Sequence, residues 1–151
     1  MNEDFRDILA LLLEAGTRFL VVGAHALAVH GVPRATGDLD LWIDPEPENA
    51  VRVWQALLRF GAPVAALGVS EEDLKRPGVV VQIGLAPRRI DILTTITGVR
   101  FEEAWPSRVL HGVDNLSVPF IGRQEFLRNK QAAGRLRDLA DVEALEGAGE
   151  E

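Results

Sequence analysis

Asp38 and Asp40 lie two residues apart in the stretch TGDLDLWID, residues 36–44, alternating with Leu39, Leu41 and Ile43. Side chains on a β-strand point to opposite faces in turn, so this pattern reads as a strand with both carboxylates on one face and leucines on the other. Same-face neighbours stand about 7 Å apart along a strand, close enough for their carboxylates to converge on one centre. Converging carboxylates raise each other's pKa unless a cation lies between them, and a hard, oxygen-seeking divalent ion such as Mg²⁺ supplies one. A third carboxylate, Asp91, sits between Ile90 and Ile92 in RRIDILT. If its strand pairs beside the first, the three aspartates form a set able to hold two metal ions and act on a phosphoryl group. Alternative readings are a solvated strand face for Asp38 and Asp40 and an exposed edge charge for Asp91.

Upstream, VVGAHALAVHG places Gly23 and Ala24 between a short apolar strand and a helix. The first backbone N–H groups of a helix have no partner within it and suit a phosphate, and Gly23 allows close backbone approach. A glycine at such a junction also serves as a plain turn device. Asp44 has the same parity as Asp38 and Asp40, but it precedes Pro45 and reads as the polar end of the strand. Trp42 shares their face, either to stack on a base or to be partly buried under a helix.

The elements that must position these residues follow from periodicity. Apolar residues at Phe5, Ile8, Leu9, Leu12 and Leu13 predict a helix stopped near Gly16. RFLVVG is a buried strand, AHALAVHG a helix, and PRATG the loop into the acidic strand. Pro47 suits the first turn of the helix that follows. Ser70 with Glu71, Glu72 and Asp73 reads as a cap with an acidic first turn. GVVVQIGL and RRIDILTTI read as a hairpin, FEEAW as a short helix or turn, and LSVPFIG as an extended segment weakened by Pro119. Two helices follow from Arg123, split near Gly134. Together these give an α/β (α+β) domain with a mixed sheet of four to five strands covered by helices. Residues 1–146 are read as one domain and 147–151 as a frayed tail.

These residues together resemble the nucleotidyltransferase superfamily typified by DNA polymerase beta. The family joins a hydrophobic-Gly-Gly/Ser turn to an Asp-hydrophobic-Asp/Glu-hydrophobic strand and a later acidic residue between hydrophobics. Gly23-Ala24, Asp38-Leu39-Asp40-Leu41 and Asp91 stand in those places. GAHALAVHGVPRATGDLDLWI and FLRNKQAAGRLRDLADVEAL are especially similar to small prokaryotic nucleotidyltransferase-like proteins, including those related to toxin–antitoxin and abortive-infection systems. The resemblance covers residues 19–145.

It implies that Asp38, Asp40 and Asp91 bind two Mg²⁺ ions, or Mn²⁺, with an NTP, that Asp91 also helps activate an acceptor hydroxyl, and that Gly23 and Ala24 place amides on the phosphates. Arg34 and Thr36 face the nucleotide or are loop residues, and Lys130 reaches a phosphate or lies on a solvated helix face. Ala24 departs from the family by lacking a hydroxyl, with His25 as a substitute donor or a bystander. His30 and His111 are given no role. Arg135, Arg137, Asp138 and Asp141 lie at helical spacing, and a surface ion pair between Arg137 and Asp141 explains them, with Arg135 as the exception to watch.

Composition narrows the function classes. The net charge of −7 argues against a grip on long nucleic acid through its phosphates. The absence of cysteine removes thiolate metal sites, disulfides and cysteine nucleophiles. No signal-peptide pattern or membrane-length apolar run is present, so a cytoplasmic protein is expected. The expected activity is transfer of an NMP from an NTP to a hydroxyl of an RNA such as tRNA, a protein or a small molecule. Two other readings stay open: a catalytically silent nucleotide- or partner-binding module of the antitoxin type, with a toxin or antitoxin partner, and a metal-dependent phosphohydrolase.

Overall fold

The computed structural model describes residues 1–34 and 37–149. Helix α1 (Glu3–Glu14) opens the chain, with Asn2 Oδ1 accepting the Phe5 N–H at 2.9 Å. It is followed by β1 (Phe19–Val22), α2 (Gly23–Val29), β2 (Leu39–Ile43) and α3 (Pro47–Phe60). A short α4 (Val64–Leu67) and a 3₁₀ turn (Glu71–Lys75) lead to β3 (Val80–Ile83) and β4 (Ile90–Leu93). The chain closes through α5 (Phe101–Ala104), a 3₁₀ turn, β5 (Val109–Val113), β6 (Leu116–Phe120), α6 (Arg123–Ala133) and α7 (Leu136–Gly149).

The strands form one mixed sheet in the order β3-β4-β2-β1-β6-β5. β2 lies antiparallel to β1 and parallel to β4, so its backbone is paired on both sides. Leu39, Leu41 and Ile43 are wholly buried. Each contributes roughly 1.5–3 kcal/mol by leaving water, and a one-residue slip of β2 would turn all three outward and the aspartates inward. α1 packs against α3, and the buried faces of both helices belong to the main core. Buried Asn49 on α3 ties that layer to the strand ends: its Oδ1 accepts the Arg18 N–H at 2.7 Å, and its Nδ2 donates to the Arg18 and Asp44 carbonyls at 3.0 and 2.7 Å. Pro47 is the first residue of α3, and the Glu46 carboxylate caps the helix by accepting the Glu48 and Asn49 N–H groups.

The sheet has six strands where the sequence reading expects four to five. The added strand is β5, an edge strand whose first four residues are exposed. It has no buried alternation and contains Gly112, so it carries no periodic signal. A two-residue turn pairs it with β6: Asp114 and Asn115 both have positive φ, 46° and 69°, the combination a type I′ hairpin requires. β6 is an interior strand despite Pro119, and its register with β1 lies one residue further on, at Phe120. α7 is helical through Gly149, beyond the expected tail boundary at Glu146. Among the described residues, no helix is long and apolar enough to cross a membrane.

Candidate functional site

The parallel register of β2 on β4 sets Asp40 directly beside Asp91. β4 is an interior strand between β3 and β2, and Asp91 is 7% exposed, so it is not an edge charge. Asp38 lies just before β2 and is partly buried. Its Oδ1 is shut from water and has no hydrogen-bond partner among the described residues.

Burial pushes the Asp40 carboxyl up to about 6. The neighbouring Asp91 adds to this by charge and by a shared hydrogen bond, and Asp38 by charge, while Arg89 pulls weakly the other way. Burial together with an adjoining carboxylate shifts a carboxyl in this direction.

Gly23 has a sharper role than flexible approach to a ligand. Its φ is +70°, and a Cβ placed on it would run into the Asp40 carboxylate. The missing side chain is the space in which Asp40 sits. No side-chain cap at the start of α2 is found among the described residues, and Gly23 and Ala24 line the cleft.

That cleft has a volume of about 510 Å³. One wall carries Asp38, Asp40 and Asp91. Arg34, Lys130 and Arg137 also line it, along with Arg89. Seven of the eight residues singled out from the sequence line this one space: Gly23, Ala24, Arg34, Asp38, Asp40, Asp91 and Lys130. The eighth, Thr36, lies outside the described residues.

The basic side is held by buried acids. Asp141 accepts Arg34 Nη2 at 2.5 Å and pairs with Lys130 Nζ at 3.3 Å. Asp138 accepts Arg135 Nε at 2.6 Å and Lys130 Nζ at 3.4 Å. Arg135's hydrogen bond, helped by the charge of Lys130, holds the Asp138 carboxyl below its ordinary range. Lys130 is largely enclosed, so it does not lie on a solvated helix face. The surface pair expected between Arg137 and Asp141 is replaced by this cluster. Asp138 and Asp141 are 0% and 1% exposed, and α7 turns them into the junction with α6 and the Arg34 loop. Arg137 lines the cleft and has no ion pair among the described residues; helical spacing paired it with Asp141, and only burial reassigns it.

Arg89 is the other residue that sequence reasoning passed over. Its Nη2 lies 2.9 Å from Asp38 Oδ2, and its Nε and Nη2 donate to the two oxygens of Asp91 at 3.0 and 3.2 Å. No group of three His, Asp or Glu side chains among the described residues is arranged to hold a metal ion. The chemistry of the donor set still fits one. Asp38 offers a buried oxygen with no partner among the described residues, and Asp40 is held above its ordinary pKa by burial and then by its acidic neighbours; a divalent cation would partner the first and offset the second.

Trp42 is fully buried and meets Phe101 edge to face at 5.0 Å. It lines a different cavity, about 660 Å³, with Arg18, Asp44 and residues 94–96 and 98–102, so it does not stack in the acidic cleft. His25 packs edge to face on Phe5, burial lowers its pKa, and it is not among the cleft-lining residues. His30 Nε2 is 2.7 Å from the Ile121 carbonyl.

The fold is similar to the crystal structure of a candidate nucleotidyltransferase from Thermotoga maritima, with a TM-score of 0.58 over 95% of this chain and 88% of that one, at 16% sequence identity. At that identity the likeness speaks for a nucleotidyltransferase-like fold alone. No family model and no curated protein matches the chain.

Proposed function

We propose that this chain is a metal-dependent nucleotidyltransferase that moves a nucleoside monophosphate from an NTP to a hydroxyl acceptor and releases pyrophosphate. The observation that carries this reading is the cleft itself: under-neutralised Asp40 beside Asp91 and Asp38, in one space with Arg34, Lys130 and Arg137. In this reading Asp38, Asp40 and Asp91 hold Mg²⁺, with Mn²⁺ as a substitute. A divalent ion bound there supplies positive charge to the transferred phosphoryl group and to the attacking and leaving oxygens. Gly23 and Ala24 turn backbone amides toward the phosphates, and Arg34, Lys130 and Arg137 neutralise the triphosphate. The acceptor oxygen forms a bond to the α-phosphorus as the bond to pyrophosphate breaks, and Asp91 helps draw the hydroxyl proton away. Thr36, two residues before Asp38 in the sequence, is proposed on sequence grounds as a nucleotide contact. The acceptor is an RNA such as tRNA, a protein or a small molecule, and the setting proposed is the cytoplasm.

The test is transfer of label from α-labelled NTPs with Mg²⁺ or Mn²⁺ to cell-extract acceptors, comparing wild type with Asp40→Asn. Transfer that survives the substitution rejects this site. Ala24, which offers no hydroxyl to a phosphate, favours a second reading: a catalytically silent nucleotide- or partner-binding module, antitoxin-like, working with a toxin or antitoxin partner. Calorimetric binding of an NTP with Mg²⁺, without transfer to any acceptor, would select it. Free phosphate as the product would instead indicate a phosphohydrolase.

A further inference from the structure

We infer that Arg89 is the resident cation of the acidic site, and that a divalent ion loads by displacing its guanidinium from Asp38 and Asp91. The inference rests on the metal-binding reading above and deepens it by naming how the site is regulated. Two carboxylates from different segments share one guanidinium. Asp91 takes the Nε and Nη2 fork on its two oxygens, and Asp38 takes Nη2 on Oδ2. Such forked, charge-assisted pairs are short and directional, so Arg89 holds the two acids together in the absence of any other cation.

Asp40 is left out. It adjoins Asp91 in register but is not among the hydrogen-bond partners of Arg89, and Asp38 keeps one buried oxygen with no partner among the described residues. Three carboxylates therefore face one monovalent cation, which satisfies part of the set and leaves donors over. A divalent ion that uses all three competes with Arg89 for the Asp91 carboxylate, both of whose oxygens the guanidinium holds.

The backbone of Arg89 is fixed, since its carbonyl accepts the Leu39 N–H at 3.0 Å, while its side chain is about one-third exposed. The exchange thus asks for a rotamer change and no movement of the sheet. The displaced guanidinium remains in a cleft where an anionic phosphate would give its planar fork another partner.

The experiment is Mn²⁺ titration of the full chain, read by electron paramagnetic resonance, for wild type, Arg89→Gln, Arg89→Lys and Asp40→Asn. Removing the competing charge should tighten Mn²⁺ binding about tenfold in Arg89→Gln, the lower end of what an adjacent arginine does to a carboxylate. Arg89→Lys, which keeps charge without the fork, should fall between the two. A static ion pair predicts the reverse, because losing Arg89 would loosen Asp91. Equal or weaker Mn²⁺ binding by folded Arg89→Gln overturns the exchange. A second readout needs no variant at Arg89: on wild type, the Arg89 Nε–H resonance should move as Mg²⁺ saturates the site, and a resonance that stays fixed overturns the proposal. If Asp40→Asn abolishes Mn²⁺ binding while both Arg89 readouts stay flat, the exchange fails and the metal site stands. If wild type binds no Mn²⁺, both fail.

Discussion

Two clusters of enclosed aspartates serve one cleft, and their electrostatics are opposite. On α7, Asp138 and Asp141 are met by Arg135, Lys130 and Arg34, and Asp138 is held below the ordinary carboxylate range. On the sheet, Asp40 is pressed against Asp91 and Asp38 and is pushed up to about 6. Burial opposes the charged form in both places. The difference lies in the partners: cations, Arg135 first and Lys130 from α6 with it, outweigh burial at Asp138, while a neighbouring carboxylate adds to it at Asp40. The first cluster is saturated and serves to hold Lys130 and Arg34 in position. The second has unspent capacity for positive charge, which is how a binding site differs from a structural ion pair.

The comparison breaks most visibly at the saturated cluster. Asp138→Ala strands largely enclosed Lys130 beside one remaining acid and removes Arg135's partner. Loss of one member of a buried pair is strongly destabilising; with Arg135 itself exposed, a loss of about 2–3 kcal/mol is expected. Thermal denaturation should show a melting temperature lower by roughly 4–12 °C, at 2–4 °C per kcal/mol for a chain of this size.

Gly23→Ala attacks the other wall. The new Cβ meets Asp40 and must adopt φ of +70°, at a cost of order 1–3 kcal/mol. The added effect on function separates it from Asp138→Ala: displacement of Asp40 should weaken Mn²⁺ binding more than tenfold in calorimetry, whereas an equally destabilised variant away from the site should not.

Asp40→Asn sharpens the contrast because its effect on stability has the opposite sign. A carboxyl whose folded pKa is raised from 3.8 to about 6 contributes its full stability below the unfolded pKa and loses it as pH rises through about 6. Above that pH the charged form is a liability on the order of 1–3 kcal/mol. The metal-free variant should therefore be more stable than wild type at pH 7.5 and should lack the wild type's decline between about pH 4 and 6. Chemical denaturation across that range checks both points, and a variant less stable than wild type at pH 7.5 removes the distinction between the clusters.

The smallest effect is on binding in the wild type. Metal must displace the proton on Asp40, so Mn²⁺ affinity should rise by up to about tenfold per pH unit below about pH 6 and flatten above it. A curve with no inflection near 6 would take Asp40 out of the ligand set.

Much of the site was legible because its signals are local. Alternation in DLDLWI fixes which side chains share a face, and the isoleucines around Asp91 do the same for β4. The glycine between β1 and α2 marks a position that a side chain cannot occupy. Other features had no local signature. β5 is exposed and contains a glycine, so nothing in its pattern distinguishes it from a loop until the Asp114–Asn115 turn folds it onto β6. Helical spacing paired Arg137 with Asp141, yet α7 packs so that Asp141 is enclosed and reaches Arg34, 107 residues away. Trp42 has the parity of the aspartates, but its position toward the end of β2 puts it against Phe101 and a different cavity.

The sequence by itself determined which residues are acids on one strand face, where the chain turns, and that leucines and isoleucines anchor those strands, because period and conformational restriction act over a few residues. Tertiary structure decided which charges meet. The parallel docking of β4 on β2 set Asp91 beside Asp40, the approach to β4 laid Arg89 across Asp91 and Asp38, and the return of α6 and α7 brought Lys130 and Arg137 to the same cleft. Coulomb energy and desolvation depend on distances between segments remote in sequence and on the burial they share, and neither exists until the sheet and helices have packed.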